Sequence, residues 1–543
     1  MNPSEIESIQ NSQYKRLNID RIEYGTAGFR ARSEVLEHVF YRMGLLAVLR
    51  SKLKNANIGL MITASHNPES DNGIKLVDPH GEMLEISWEG IATDLANIND
   101  EGLISLLWQI INDNGIEMSM PVTIIIGRDT RKSSPLLLNA AISGIKALSG
   151  NVKDFGIITT PQLHYLVATT NTNADKSFSS LESYYKKLGN GFKRIRGETQ
   201  YSNKYKANLY VDAANGVGAN ALKDIQKYID SVLTINVFND GNGELNYNCG
   251  ADFVKTRSKL PLNSSNKPYV RLASIDGDAD RLVYFYVDDQ NKFHLMDGDR
   301  IATLAAVYLK ELLEESNLSL KLGIVQTAYA NGASTNYILN VLKIPVACVP
   351  TGVKHLHAKA TEYDIGIYFE ANGHGTVLFK DTAIKLIQES LTNTQLSTSE
   401  KTAISKIMDL VDMINQTVGD AISDILLVET ILRTKDWSIV EWEQSYTDLP
   451  NKLLKVNVKD RNVVTVTDAN RRCVTPKGLQ EKINETIARY EKGRAFVRSS
   501  GTEDVIRVYV ECESPSDVDK FALEVANLVY NFANGIGPRP ESL

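Results

Sequence analysis

Cysteine is scarce. Four residues, Cys249, Cys348, Cys473 and Cys512, are scattered through 543 positions. That spacing supports neither a disulfide framework nor a zinc-ligand pair, and it fits a reducing compartment. No apolar run approaches the ~20 residues that span a bilayer, so no membrane partner is expected. The first residues, Met1-Asn2-Pro3-Ser4-Glu5, lack the basic-then-apolar pattern of a secretory signal. Positive charge is not in excess either: 59 Lys and Arg face 66 Asp and Glu, for a net charge of -7. Without a basic field to hold a polyanion, nucleic acid is not an expected partner. A Walker-type Gly-x4-Gly-Lys-Ser/Thr sequence does not occur, nor does the Gly-x-Ser-x-Gly elbow of hydrolases. Gly216-Val217-Gly218 with Ala221 imitates a dinucleotide fingerprint, but no acidic residue sits cleanly at the end of the next strand. These absences predict a soluble, cytoplasmic protein, a monomer by default, that handles a small molecule.

With 43% hydrophobic and 23% charged residues, the composition is that of a globular chain, and its length suits three or four domains. Strand-like and helix-like segments alternate, which predicts an α/β fold. Helices are expected over 34–54 and 134–149, with strands over 58–64, 122–126 and 155–160. A polar stretch, 170–206, reads as an exposed crossing into a second region. There, strands are expected over 208–212, 232–238, 272–275 and 282–287. A third region repeats the theme, with a helix over 300–314, strands over 323–327, 346–349 and 365–369, and a surface loop over 392–402. After about 436, half-buried strands (453–458, 504–512) and amphipathic helices (476–490, 516–532) predict a smaller α+β domain. The link 437–451 reads as a hinge. The expected division is 1–190, 191–297, 298–436 and 437–543.

Four segments carry chemistry. Asp276-Gly277-Asp278-Ala279-Asp280 follows an apolar strand. Carboxylates two apart face the same side of an extended chain and converge on one hard cation such as Mg²⁺. A calcium EF-hand is excluded, since its sixth position is Arg281 and its twelfth Val287. By itself the segment also reads as a solvated acidic turn; the flanking strands and Arg281 favour a buried site. Met61-Ile62-Thr63-Ala64-Ser65-His66-Asn67-Pro68 delivers Ser65 from the end of a strand into a turn, where His66 and Lys75 stand near enough in sequence to polarise its oxygen, or else Ser65 merely caps that turn. Arg498-Ser499-Ser500-Gly501-Thr502, with Arg507 beyond, joins hydroxyls, glycine-flanking N–H groups and two arginines, a phosphate cradle or else a polar hairpin turn. Glu370-Ala371-Asn372-Gly373-His374 offers donors and acceptors to sugar hydroxyls, or is simply a glycine-rich turn.

Jointly these segments resemble the α-D-phosphohexomutase superfamily along nearly the whole chain. Residues 63–68 resemble its phosphoserine loop, 276–281 its metal loop, 370–374 its sugar loop and 498–502 its phosphate loop. Gly25-Thr26-Ala27-Gly28-Phe29-Arg30, Gly127-Arg128-Asp129-Thr130-Arg131 and Thr351-Gly352-Val353-Lys354 are further matches. Two departures sharpen the likeness. Ser65 precedes the Gly-x-Asp-x-Arg element rather than following it, and Asn372 stands where the sugar loop usually has Ser; both resemble the eukaryotic phosphoacetylglucosamine mutases. The resemblance implies three similar α/β domains and a C-terminal α+β domain around a central cleft. It implies Mg²⁺ on Ser65, Asp276, Asp278 and Asp280, and Arg30, Lys75 and Arg281 near the transferring group, with His66 or Lys75 moving the proton. Sugar phosphate would be bound by Thr351, Gly352, Glu370, Asn372, Gly373, His374, Arg498, Ser499, Ser500, Gly501, Thr502 and Arg507. The implied reaction interconverts N-acetylglucosamine 6-phosphate and 1-phosphate through a hexose 1,6-bisphosphate. The rivals are a phosphoglucomutase or phosphomannomutase on the same fold, a phosphoserine phosphatase-like hydrolase, and a non-catalytic sugar-phosphate sensor.

Overall fold

The computed structural model describes residues 2–25, 27–172, 179–196, 202–501 and 503–541. The chain forms two units. The first runs to Asp297 and takes in His374–Thr376 and Met408–Ile439; the second comprises Gly298–Gly373, Val377–Ile407 and the chain from Val440 onward.

Two five-stranded sheets organise the first unit. One has the order Phe29–Arg32, Asp71–Val77, Ile58–Ile62, Thr123–Arg128, Asn151–Ile157. Asp71–Val77 is antiparallel to both its neighbours, and the remaining pairs are parallel. Ile58–Ile62 is buried at every position, as a central strand covered on both faces must be. The second sheet has the order Phe293–Met296, Leu282–Val287, Leu272–Ile275, Asn208–Asp212, Thr234–Phe238, parallel only in its last three strands. The helix Ala421–Lys435 is buried almost all round, which its mixed apolar sequence anticipates.

In the second unit, Val346–Val349, Leu322–Thr327 and Ile365–Phe369 run parallel. Further on, Asn451–Asn457, Val505–Glu511 and Arg494–Ser499 form an antiparallel sheet in that order. Its core joins Val456, Ile506 and Val508 to Leu479 and Ile483 of one helix and Phe521, Val525 and Val529 of another. Among the described residues, no helix is long and apolar enough to cross a membrane.

The expected α/β alternation and the C-terminal α+β region are both present, and the sequence reading needs correction in three places. The polar stretch 170–206 contains the helix Leu181–Arg196; its Tyr184, Leu188, Phe192 and Ile195 recur at helical spacing and are buried. The strand expected over 155–160 is Asn151–Ile157, and a helix begins at Thr160 with Pro161 in its first turn, where proline is tolerated. The loop expected over 392–402 already contains the start of the helix Thr398–Met413. The link 437–451, read as a hinge, contains the boundary between the two units at Ile439 and Val440 and has structure of its own. It holds the helix Ile439–Glu443, with Trp442 fully buried and its indole N–H donating to the Arg300 carbonyl at 3.3 Å. Arg300 in turn donates to the Glu443 carbonyl and to Asp448, and stacks on Tyr446.

Candidate active site

Ser65 leaves the buried strand Ile58–Ile62 in the left-handed region, at φ 50°, and is fully buried. Its N–H donates to Thr63 Oγ1 at 2.9 Å, and Thr63 Oγ1 donates to Asp129 at 2.7 Å. The Ser65 hydroxyl donates to Asp276 Oδ2 at 2.7 Å. The serine loop of one sheet thereby meets the acidic loop of the other. Gly277 permits the approach, since a Cβ there would lie 2.7 Å from the Ser65 carbonyl oxygen.

The acidic loop curls tightly, with Ala279 at φ 60°. Three successive carbonyls, of Gly277, Asp278 and Ala279, accept N–H groups from Val217, Thr160 and Ala421 at 3.1, 3.2 and 3.1 Å. Each donor stands at the start of a helix. Three helix N-termini therefore abut the loop, and their partial positive charge favours carboxylates there. Asp276, Asp278 and Asp280 are buried, and one ligand oxygen from each lies within 4.8 Å of the others. Asp276 Oδ1 accepts the N–H groups of Asp280 and Arg281. Asp278 Oδ2 accepts from Lys75 Nζ at 3.1 Å and Thr160 Oγ1 at 2.6 Å. Lys75 also stands 3.6 Å from Asp280, and Arg281 Nε 3.8 Å from Asp276. Oδ1 of Asp278 remains buried with no hydrogen-bond partner among the described residues, and Oδ1 of Asp280 faces His374 Nδ1 at 3.4 Å. A buried, unpartnered carboxylate oxygen within a cluster of three carboxylates, an all-oxygen donor set, fits a hard divalent cation such as Mg²⁺.

Charge explains the rest of the geometry. Burial, then Asp280 and Asp278, push the Asp276 carboxyl well above its usual range. Burial opposes ionisation of Asp280 too, but His374, Lys75 and Arg281 outweigh it and hold that group well below the usual value. Three carboxylates this close do not all ionise readily, so the metal-free triad is expected to keep a proton, shared within the cluster. A divalent cation must displace that proton. Mg²⁺ binding is therefore expected to release a proton, and its affinity to fall as pH is lowered. Calorimetry in buffers of different ionisation enthalpy measures this; identical heats across buffers would refute it.

His66 is driven down to about 2 by burial, then by Arg281 and Arg30, so its imidazole is neutral. Its Nδ1 is buried and has no hydrogen-bond partner among the described residues, and the same holds for Arg30 Nε. His374 Nδ1 lies 2.7 Å from the Asp280 carbonyl oxygen, which places this member of the expected sugar loop beside the acidic loop.

Of the other expected residues, Thr351, Gly352, Glu370, Asn372 and Gly373 lie in the second unit. The Thr351 N–H donates to Asn470 at 3.0 Å, while Thr351 Oγ1 is buried with no partner among the described residues. Gly373 closes a turn on the Glu370 carbonyl at 2.8 Å. Arg498 and Arg507 are direct cross-strand partners, so their side chains leave the same face of the sheet from neighbouring positions. Arg498 Nε donates to the Tyr329 hydroxyl at 3.0 Å; Arg507 Nε is buried with no partner among the described residues. Ser499 ends the strand, and the Ser500 N–H donates to the Val505 carbonyl. A Cβ on Gly501 would meet nothing within 4 Å, so that backbone is open to a ligand. Thr502 lies outside the described residues.

The chain as a whole has well-characterised relatives. Residues 176–283 and 297–437 match the models "Phosphoacetylglucosamine mutase AMG1, domain II" and "domain III". Residues 44–102 and 97–178 match "Phosphoglucomutase/phosphomannomutase, alpha/beta/alpha domain I", and 453–528 match that family's C-terminal domain. The human phosphoacetylglucosamine mutase is 50% identical over 521 residues, covering 96% of each chain. The chain belongs to the phosphoacetylglucosamine mutases. Among solved structures, an N-acetylglucosamine-phosphate mutase of the α-D-phosphohexomutase superfamily in its substrate complex is 44% identical with TM-score 0.93, covering 97% of this chain and 100% of its own. The Aspergillus fumigatus N-acetylphosphoglucosamine mutase, in complex with GlcNAc-6P and magnesium, is 45% identical with TM-score 0.92, covering 98% of this chain and 99% of its own. Beyond the motifs of this mutase family, sequence reasoning missed Thr160 on Asp278, Asn246 beside the serine loop, Tyr329 on Arg498 and Asn470 on Thr351. A Thr-Pro pair opening a helix was a weak signal for Thr160; the other three act across long sequence separations and leave no local trace.

Proposed function

We propose that the chain interconverts N-acetylglucosamine 6-phosphate and N-acetylglucosamine 1-phosphate, with phosphorylated Ser65 as donor and acceptor. The observation that carries this reading is the Ser65 hydroxyl bound to Asp276 inside the aspartate triad. Ser65 gives its phosphoryl group to the free hydroxyl of the sugar monophosphate: the serine O–P bond breaks as the sugar O–P bond forms. The resulting 1,6-bisphosphate returns its other phosphoryl group to Ser65. When bound to Asp276, Asp278, Asp280 and an oxygen on Ser65, Mg²⁺ neutralises charge on the transferring group. Arg30 and Arg281 add positive charge beside it, and Lys75 keeps Asp278 and Asp280 ordered. Phosphoryl transfer asks mainly for alignment, so a weakly basic partner for the departing proton suffices. We assign that task to His66 Nδ1.

The phosphate that does not react is assigned to 498–502 with Arg507, and the sugar hydroxyls to Glu370 and Asn372, with Thr351 and Gly352 beside them. His374, by its bond to Asp280, holds the acidic loop. The reading takes the protein to be cytoplasmic and monomeric, with functional divisions at 1–190, 191–297, 298–436 and 437–543.

A coupled assay with Mg²⁺ and a trace of hexose bisphosphate tests it. N-Acetylglucosamine 6-phosphate is expected to be turned over with at least ~10-fold higher kcat/KM than glucose 6-phosphate, the scale of about 1.4 kcal/mol of differential binding. Equal or better use of the glucose ester would move the protein to another hexose specificity.

A further inference from the structure

The loop that carries Ser65 is held from behind by one buried guanidinium. Arg131 is 1% exposed and has five N–H bonds to give. Nε donates to Asp129 Oδ2 at 2.9 Å. Nη1 donates to the carbonyls of Pro68 and Asp71, at 2.5 and 2.9 Å. Nη2 donates to the carbonyls of Ser65 and Asn67, at 2.9 and 3.0 Å. Five donors meet five acceptors, four of them carbonyls of a single seven-residue loop, 65–71. Asn246, from the other sheet's connections, reaches the same place: its Nδ2 donates to the carbonyls of Ser65 at 2.8 Å and Asn67 at 3.1 Å.

These bonds act on a strained backbone. A non-glycine residue in the left-handed region relaxes unless its surroundings hold it, and Ser65 sits there. Its N–H is fixed by Thr63 Oγ1, which is itself fixed by Asp129, the carboxylate that also orients Arg131. Its carbonyl accepts from both Arg131 and Asn246. Asp129 Oδ1 further accepts the Arg131 N–H and the Ser134 hydroxyl, so the anchor cannot swing. Both ends of the Ser65 peptide framework thus trace back to one Asp129–Arg131 pair.

We propose that Arg131, oriented by Asp129 and assisted by Asn246, is a positioning residue that sets the direction of the Ser65 Oγ–phosphoryl bond without touching substrate or metal. The proposal rests on Ser65 being the phosphoryl carrier. It predicts a selective defect. Arg131→Lys keeps a cation but offers three donors and no planar fork, so it cannot hold four carbonyls at once. A displacement of the reacting atom by about 1 Å costs on the order of 100-fold in rate. Arg131→Lys and Arg131→Ala are therefore expected to lower kcat about 100-fold, with KM and Mg²⁺ affinity within about threefold of wild type. Guanidinium at millimolar concentration is expected to restore activity to Arg131→Ala, and methylammonium is not. Asn246→Ala, which leaves the ion pair intact, is expected to lower kcat about tenfold with KM unchanged. Amide hydrogen exchange over 63–72, a readout independent of turnover, should quicken in each variant while the rest of the sheet keeps its protection. Unchanged kcat in Asn246→Ala together with unchanged exchange in that segment would overturn the proposal, even if the Arg131 variants fail to fold. If wild-type protein is not phosphorylated on Ser65 while loop exchange responds as described, it is the carrier assignment that falls, and Arg131 remains the anchor of the loop.

Discussion

Ser65→Ala is expected to fold, to bind sugar phosphate, and to lose turnover by on the order of 10⁵-fold or more, the loss typical of removing a covalent nucleophile. Folding survives because the change removes one hydroxyl, whose side-chain hydrogen bond among the described residues is to Asp276. The left-handed backbone at φ 50° is no worse for alanine than for serine, and the Thr63, Arg131 and Asn246 bonds to the Ser65 backbone do not involve its side chain. Asp276 loses a hydrogen bond worth about 1 kcal/mol, a small part of a domain's stability. The chemistry, by contrast, has no substitute within reach, since a water in place of the serine oxygen would hydrolyse the bisphosphate rather than store its phosphoryl group. Incubating each protein with ³²P-labelled hexose 1,6-bisphosphate and counting acid-stable label on the chain provides the decisive measurement. Wild type should carry label and Ser65→Ala none; label retained by the variant would place the carrier elsewhere.

The site was legible in sequence to the extent that its chemistry is local. Asp276, Asp278 and Asp280 are alternate residues after a strand, so one turn of loop brings them together, and the pattern is visible without a fold. Ser65 was legible because a strand end followed by Asn67-Pro68 forces an exit. The scaffold behind them was not. Asn246 is 181 residues from Ser65, and Arg131 meets the serine loop 60 to 66 residues away. Contacts of that kind depend on which strand lies beside which. The strand order itself was hidden for the same reason. Asp71–Val77 pairs antiparallel with both neighbours inside its sheet, yet its sequence, Asp-Asn-Gly-Ile-Lys-Leu-Val, opens with turn formers and reads as loop. The helix Leu181–Arg196 was missed because charged and polar residues dominate its exposed face; only the spacing of its aromatic and aliphatic residues betrays it.

Asp276→Asn separates what the aspartates do for catalysis from what they cost the fold. The amide is a near-isostere of the protonated carboxyl that the metal-free triad favours. Its Oδ1 still accepts the N–H groups of Asp280 and Arg281, and its Nδ2 donates to Ser65 Oγ, reversing the sense of that bond. One of three mutually repelling carboxylates disappears, while Lys75 remains paired with Asp278 and Asp280. The metal-free variant is therefore expected to be at least as stable as wild type, with the difference growing as pH rises. The sign follows from linkage. A carboxyl raised in the native state binds more protons folded than unfolded, so wild-type stability falls from the ordinary carboxylate range upward, and an amide has no such loss. The cation tells the opposite story: a neutral oxygen replaces an anionic ligand, and Mg²⁺ affinity should drop about 100-fold or more. Thermal unfolding with and without Mg²⁺ reads both effects at once. Wild type should gain several degrees on saturation with the ion, and Asp276→Asn should gain none at the same concentration while melting no lower in its absence. A variant that melts well below metal-free wild type would mean that Asp276 is an ordinary structural carboxylate. A variant that keeps the full magnesium shift would mean that the ion is held without it.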